Sequence, residues 1–155
     1  MVRLGALALV VFATACSSLA RLETPKYASR IEKIEMPLQS LQQLVVGSLP
    51  VGLSGASSNG REFTSVNFIL DQGTYKAARD ALDRYWARIL VLGDSRPYAV
   101  EVFVTREKRV LRGDDFTYAV VGHDSRLAKE LAARIQEQLS KRREDRNIID
   151  DFRVF

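Results

Sequence analysis

The feature that most constrains this chain is the alternation in residues 98–105, YAVEVFVT. Tyr98, Val100, Val102 and Val104 fall on one face at a period of two. Such alternation marks a strand with one buried face, because a helical face would repeat every 3.6 residues. Residues 106–112 continue this strand as a charged extension that includes Val110 and Leu111. Gly113-Asp114 is a turn signal. Residues 116–121 then read as another strand, with Phe116, Tyr118 and Val120 on one face. The two strands predict a hairpin with an exposed, charged tip.

Other elements gather around this hairpin. Residues 125–143 predict a helix with Leu127, Leu131, Ile135 and Leu139 in a stripe, widened by Ala128 and Ala132. Asp124 or Ser125 would cap it, and Lys141, Arg142 and Arg143 would face its negative end. Residues 74–88 also predict a helix. Thr74 is its N-cap, and Tyr75, Ala78, Leu82, Tyr85 and Ile89 form one face. Residues 88–92 (RILVL) follow as a short buried strand. Residues 37–46 have apolar positions at 38, 41, 44 and 45, with Pro37 at the start and Gly47 past the end. A strand over 43–46 is the competing assignment. Asn59-Gly60 predicts a two-residue hairpin turn, leading into a strand over 62–70. Residues 147–155 read as a final docked strand, or as an edge offered to another protein by β-augmentation.

These elements predict an α+β fold: a two-layer sandwich, mainly antiparallel sheet, with two amphipathic helices packed on one face. A chain of 155 residues holds one domain, here residues 31–155. With 46% hydrophobic residues the composition excludes a disordered chain. A single Cys excludes an internal disulfide scaffold.

That Cys has an informative position. Arg3 precedes an uncharged apolar run over 4–12, and Ala13, Thr14, Ala15 and Cys16 follow. Charged start, apolar middle and small residues are the secretory pattern, and the run is well short of the ~20 residues of a spanning helix. The arrangement resembles the lipobox of bacterial lipoproteins, usually Leu-Ala-(Gly/Ala)-Cys. Ala15 matches the small residue, Thr14 is acceptable, and Ala13 stands where Leu is preferred. The resemblance implies a signal peptide over 1–15, cleavage before Cys16, and acylation of its thiol and new amine. Two or three acyl chains give stable anchoring. Ser17 after Cys16 is similar to the outer-membrane default, which implies a lipid anchor in the outer membrane of a Gram-negative envelope. An ordinary secretory signal with an incidental Cys is the competing reading. Residues 16–30 would be the lipidated Cys and a tether. Removing 15 of 155 residues leaves 140, and loss of Arg3 takes the net charge from +4 to +3.

Catalytic patterns are sparse. The one His, His123, lies in Val-Gly-His-Asp-Ser, but triad members meet through the fold and not as sequence neighbours. Asp114-Asp115 and Asp150-Asp151 would point to opposite faces of a strand. No metal-ligand spacing and no Gly-Lys-Ser/Thr phosphate loop occur. The expectation is a non-enzyme with no cofactor and no metal, which binds another envelope protein and no nucleic acid. A small domain binding or hydrolysing a lipid or glycan is the alternative. Candidate partner-binding residues are Asn59, Gly60 and Arg61 at one hairpin tip, and Arg106, Lys108 and Arg109 in the charged extension.

Overall fold

A computed structural model of the chain defines residues 28–78 and 80–151. Cys16, the segment before it and residues 152–155 lie outside the described residues. The element order is β1 (Ser29–Ile34), α1 (Leu38–Ser48), β2 (Leu53–Ala56), β3 (Glu62–Ser65), β4 (Phe68–Asp71), β5 (Thr74–Ala77), β6 (Asp83–Leu92), β7 (Tyr98–Arg112), β8 (Asp115–His123) and α2 (Ser125–Asp151). The fold is α+β, with one mainly antiparallel sheet of eight strands and two helices among the described residues.

The 15-residue β7 organises the sheet. Along one side it pairs with β6 from Ala99 to Lys108. Along its other side β1 takes the first half and β8 the second. Beyond β6 come β3 and then β2, while β4 also pairs with β6 and carries β5. The alternation at the start of β7 fixes which face is buried. Val100, Val102 and Val104 join Ala87, Ile89 and Val91 of β6 in one core, together with Leu41, Leu44 and Val45 of α1 and Leu127, Leu131 and Ile135 of α2. Helix α2 packs against β7, β1 and α1. Its first turn is capped by Asp124, whose Oδ1 accepts from the Leu127 N–H at 2.9 Å.

Three expectations need correction. The helix over 74–88 is instead β5, a short connection and the start of β6. Asp71 pairs with Thr74 across Gln72-Gly73, both at positive φ, so the chain reverses there as a tight hairpin. Tyr75 and Tyr85 reach the Phe68 ring from two strands and not from one helix. Tyr75 sits edge-on to Phe68, with ring centroids 5.2 Å apart, and Tyr85 stacks on Phe68 at 5.9 Å. Burial is the main cause that raises the Tyr75 phenol pKa, opposed by the nearby Arg134 guanidinium.

The expected strand over 147–155 is helical as far as Asp151. No Gly or Pro lies between Ser125 and Asp151 to end the helix. The single strand over 62–70 is broken at Val66 and Asn67 into β3 and β4. Ser65 is buried at the break, and its Oγ accepts from the Ala87 N–H at 2.9 Å.

The hairpin at Asn59-Gly60 is present, with a longer loop than two residues. Ser57 N–H donates to the Glu62 carbonyl at 2.9 Å, so Ser58, Asn59, Gly60 and Arg61 form the loop. The helix over 37–46 is present as α1 and runs on to Ser48. Strand β1 begins at Ser29, inside the stretch expected as tether.

Candidate interaction face

Pairing register assigns side chains to the sheet face opposite the core. On that face lie Arg88 and Phe103, Trp86 and Thr105, Arg84 and Glu107, then Arg109 and Tyr118, and finally Leu111 and Phe116. The first part of this face is closed by its own side chains. The Arg88 guanidinium lies 4.9 Å from the Phe103 ring centroid, and Arg30 pairs with the buried Glu101 at 3.1 Å. Thr105 Oγ1 and His123 Nδ1 are 3.3 Å apart.

The middle of the face is a four-residue network. Arg84 Nε pairs with Glu107 Oε2 at 2.8 Å, and Trp86 Nε1 donates to Glu107 Oε1 at 3.0 Å. The Arg84 guanidinium lies 3.3 Å from the Tyr118 ring centroid. The Tyr118 hydroxyl donates to the Ala81 carbonyl at 3.0 Å. These contacts bind β8 to β6 across β7. Held together in this way, the network braces the two strands.

The last part of the face is open. Pairing of β6 with β7 stops at Asp83 and Lys108, and the β7–β8 ribbon continues past it. There Leu111 is 64% exposed and Phe116 62%; Val120, opposite Glu107 and so still beside β6, is 59% exposed. Arg109 covers one side of the Phe116 ring at 4.2 Å. Leu111 and Phe116 are directly paired, so their side chains form a continuous apolar strip.

The six candidate residues divide between two ends of the sheet. Asn59 Oδ1 accepts from Ser57 Oγ at 2.6 Å and from the Arg61 N–H at 3.0 Å. The Gly60 carbonyl accepts from Gln42 Nε2 at 2.9 Å. Arg61 donates to the Gly93 carbonyl at 2.7 Å and lies 5.5 Å from the Tyr98 ring centroid. This tip is therefore fastened to the protein itself. Arg106, Lys108 and Arg109 are eight or more residues along β7 from Tyr98, roughly 26 Å at ~3.3 Å per residue. Arg106 pairs with Asp83 at 3.1 Å, and Lys108 is exposed. Arg109 faces the open strip, whereas Arg106 and Lys108 alternate to the opposite face.

Sequence reasoning missed Arg84, Trp86, Glu107 and Tyr118 as a group, because three elements bring them together. The exposed strip did have a signal: residues 116–122, FTYAVVG, contain no charge.

A separate open groove of about 400 Å³ lies between β1 and α2. Ile31, Ile34, Met36 and Leu139 line it, with Arg142 and Arg143 at its rim. Among the described residues no group of three or more His, Cys, Asp or Glu is placed to hold a metal ion. No described helix is long and apolar enough to cross a membrane. The chain matches no family model, no curated protein and no solved structure.

Proposed function

We propose that this protein is an outer-membrane lipoprotein, anchored in a Gram-negative envelope through acyl chains on Cys16. Its folded domain acts as a non-catalytic binding or assembly factor for another cell-envelope component. In this reading the two helices form one layer over one sheet face, a two-layer sandwich, and the opposite face meets the partner. The core shared by both helices and β7 supports that arrangement.

One observation carries the binding role: exposed Leu111 and Phe116 on the ribbon that projects beyond β6, with exposed Val120 on the same face of β8 further back. Soluble surfaces seldom hold contiguous large apolar side chains without a partner. Arg109 beside the strip adds a cation for an acidic rim on that partner.

The test is a photo-crosslinking amino acid at position 116 of the full-length protein in cells, with position 43 on the exposed side of α1 as control. The expected result is a discrete adduct with one envelope protein from position 116 and none from 43. Membrane fractions should retain the wild type and lose the Cys16→Ser variant. Retention of that variant on membranes refutes the anchor. Equal adduct patterns from 116 and 43 refute the binding face.

The second reading, a domain that takes a lipid or glycan ligand, is favoured by the groove between β1 and α2. Its apolar floor and the Arg142 and Arg143 rim suit an amphiphile with an anionic head. Binding of a fluorescent fatty acid that Leu139→Trp abolishes would favour this reading over the first.

A further inference from the structure

A cleft of about 410 Å³ lies where three elements meet: the turn after α1, the β4–β5 turn and the middle of α2. Pro50, Val51, Gly73, Thr74, Tyr75 and Arg134 line it. It shares no lining residue with the groove between β1 and α2.

The turn after α1 is held in a strained shape. The Gly52 N–H donates to the Leu49 carbonyl at 3.4 Å, and the Gly52 carbonyl accepts from the Val66 N–H at 3.0 Å. Pro50 takes the second position of this turn and Val51 the third, at φ 58°. A β-branched residue there is an outlier, because its Cβ crowds the following carbonyl oxygen. The β4–β5 turn has Gln72 at φ 47° beside Gly73. Such conformations persist only where the surroundings fix them, and they gather at ligand sites. Here the strain leaves Val51 exposed in the cleft next to Pro50.

Arg134 supplies the charge. Its guanidinium lies 4.9 Å from the Tyr75 ring centroid, a contact that gives its N–H donors no oxygen acceptor. The two carboxylates within helical reach are Glu130, four residues before, and Glu137, three after. They pair with Arg126 and Lys141, each at 2.7 Å. Asp71, at the start of the β4–β5 turn, pairs with Lys76 at 2.6 Å. Among the described residues the Arg134 side chain thus forms no ion pair and no hydrogen bond.

We propose that this cleft binds a carboxylate joined to an apolar group. The guanidinium fork takes both carboxylate oxygens, with the hydroxyl-bearing Thr74 and Tyr75 beside it. The apolar part rests on Pro50 and Val51. Arg134 is the one cation among the described lining residues, which matches a single negative charge and not a dianion. The volume is at the small end of ligand clefts, about 300–1,000 Å³, and suits one such unit. A free apolar acid and the C-terminal residue of a peptide share this chemistry. The site goes beyond the proposed function and does not require it.

The test is a ligand-observed NMR titration of the full-length chain with N-acetylphenylalanine. The acid should bind and its uncharged amide should not. Arg134→Gln should weaken the acid about tenfold or more, by removing a charged bidentate contact. Arg134→Lys keeps the charge, loses the fork and should recover only part of the affinity. Val51→Gly removes the apolar wall and relieves the backbone. It should weaken N-acetylphenylalanine about threefold or more and leave acetate unchanged. Both positions are exposed, and unchanged circular dichroism spectra show that the variants keep the fold. A peptide ending in phenylalanine that binds more tightly than N-acetylphenylalanine assigns the site to peptide C-termini, and weaker peptide binding assigns it to free acids. No binding at millimolar acid, equal binding of the amide, or an affinity that Arg134→Gln leaves unchanged overturns the proposal. Inorganic phosphate bound as tightly as the acid overturns it too. None of these readouts involves Cys16 or the β7–β8 ribbon, so this proposal and the proposed function fail separately.

Discussion

Substitution of Glu107 by Ala tests whether the β7–β8 ribbon is braced as its geometry implies. The Arg84 and Glu107 side chains are 17% and 16% exposed, so their ion pair is largely removed from water. Deleting one partner of a buried pair costs ~3–5 kcal/mol, because the other charge stays buried without its counter-charge. Residual exposure moves this pair to the low end of that range. Trp86 Nε1 loses its acceptor too, and an orphaned donor costs ~1–3 kcal/mol when water cannot replace the partner. The same water that reaches Arg84 relieves part of that, so the combined expectation is a loss of about 3 kcal/mol. With a urea m-value near 2 kcal/mol/M, the midpoint falls by about 1.5 M. The double variant Arg84→Met/Glu107→Leu removes both charges together and should lose far less, about 1 kcal/mol. Equilibrium urea unfolding of the wild type, the Arg84→Met and Glu107→Leu singles and the double gives the coupling energy. A Glu107→Ala protein within about 0.5 kcal/mol of wild type would refute the brace, and so would a double variant less stable than both singles.

Three further outcomes are open to direct measurement. Leu131→Ala deletes a side chain at 1% exposure where α2 meets the core, and should cost ~2–5 kcal/mol in thermal or urea unfolding. Gly60→Ala places a Cβ 2.7 Å from Gln42 Nε2 at a residue with φ 63°, and should cost ~1 kcal/mol or more by the same assay. The Tyr75 phenol has its pKa raised by burial, so the fold favours the protonated form. Its contribution is complete below the unfolded pKa of about 10 and is lost as pH rises through the raised value. Tyr75→Phe should therefore flatten part of the stability loss above pH 10, measured by unfolding across that range.

What sequence made legible follows from how local each signal is. The β7–β8 hairpin and α2 were readable because period, turn and cap all lie within a short window: Val100, Val102 and Val104, then Gly113-Asp114, then Asp124 before Leu127. The segment 74–88 misled because Tyr75, Ala78, Leu82 and Tyr85 match helical spacing, while the rival alternation of Tyr85, Ala87, Ile89 and Val91 is equally regular. Pairing with β4 and β7 decides between them, and those strands are distant in sequence. The turn at Gln72-Gly73 was overlooked because Gln is an unusual residue for positive φ. Of the candidate residues, Arg109 faces the open strip, but Asn59, Gly60 and Arg61 are held by Ser57, Gln42 and Gly93. Periodicity does not reveal which polar side chains will find partners within the protein.

The position of β1 sets an order of events during synthesis. Ser29 pairs with Val102, and Arg30 bonds Glu101, 71 residues further on. A chain made from its N-terminus produces β1 and α1 long before the strand they need exists. The segment from β6 through β8 is a simple meander with short connections and mostly local contacts, whereas β1 must close a long loop to reach β7. Strand β1 thus spends the beginning of its existence unpaired. Arg30, Glu32, Lys33 and Glu35 give that waiting segment a charge on nearly every other residue. The same charges that blunt the edge of the finished sheet keep its earliest piece from finding the wrong neighbour before β7 arrives.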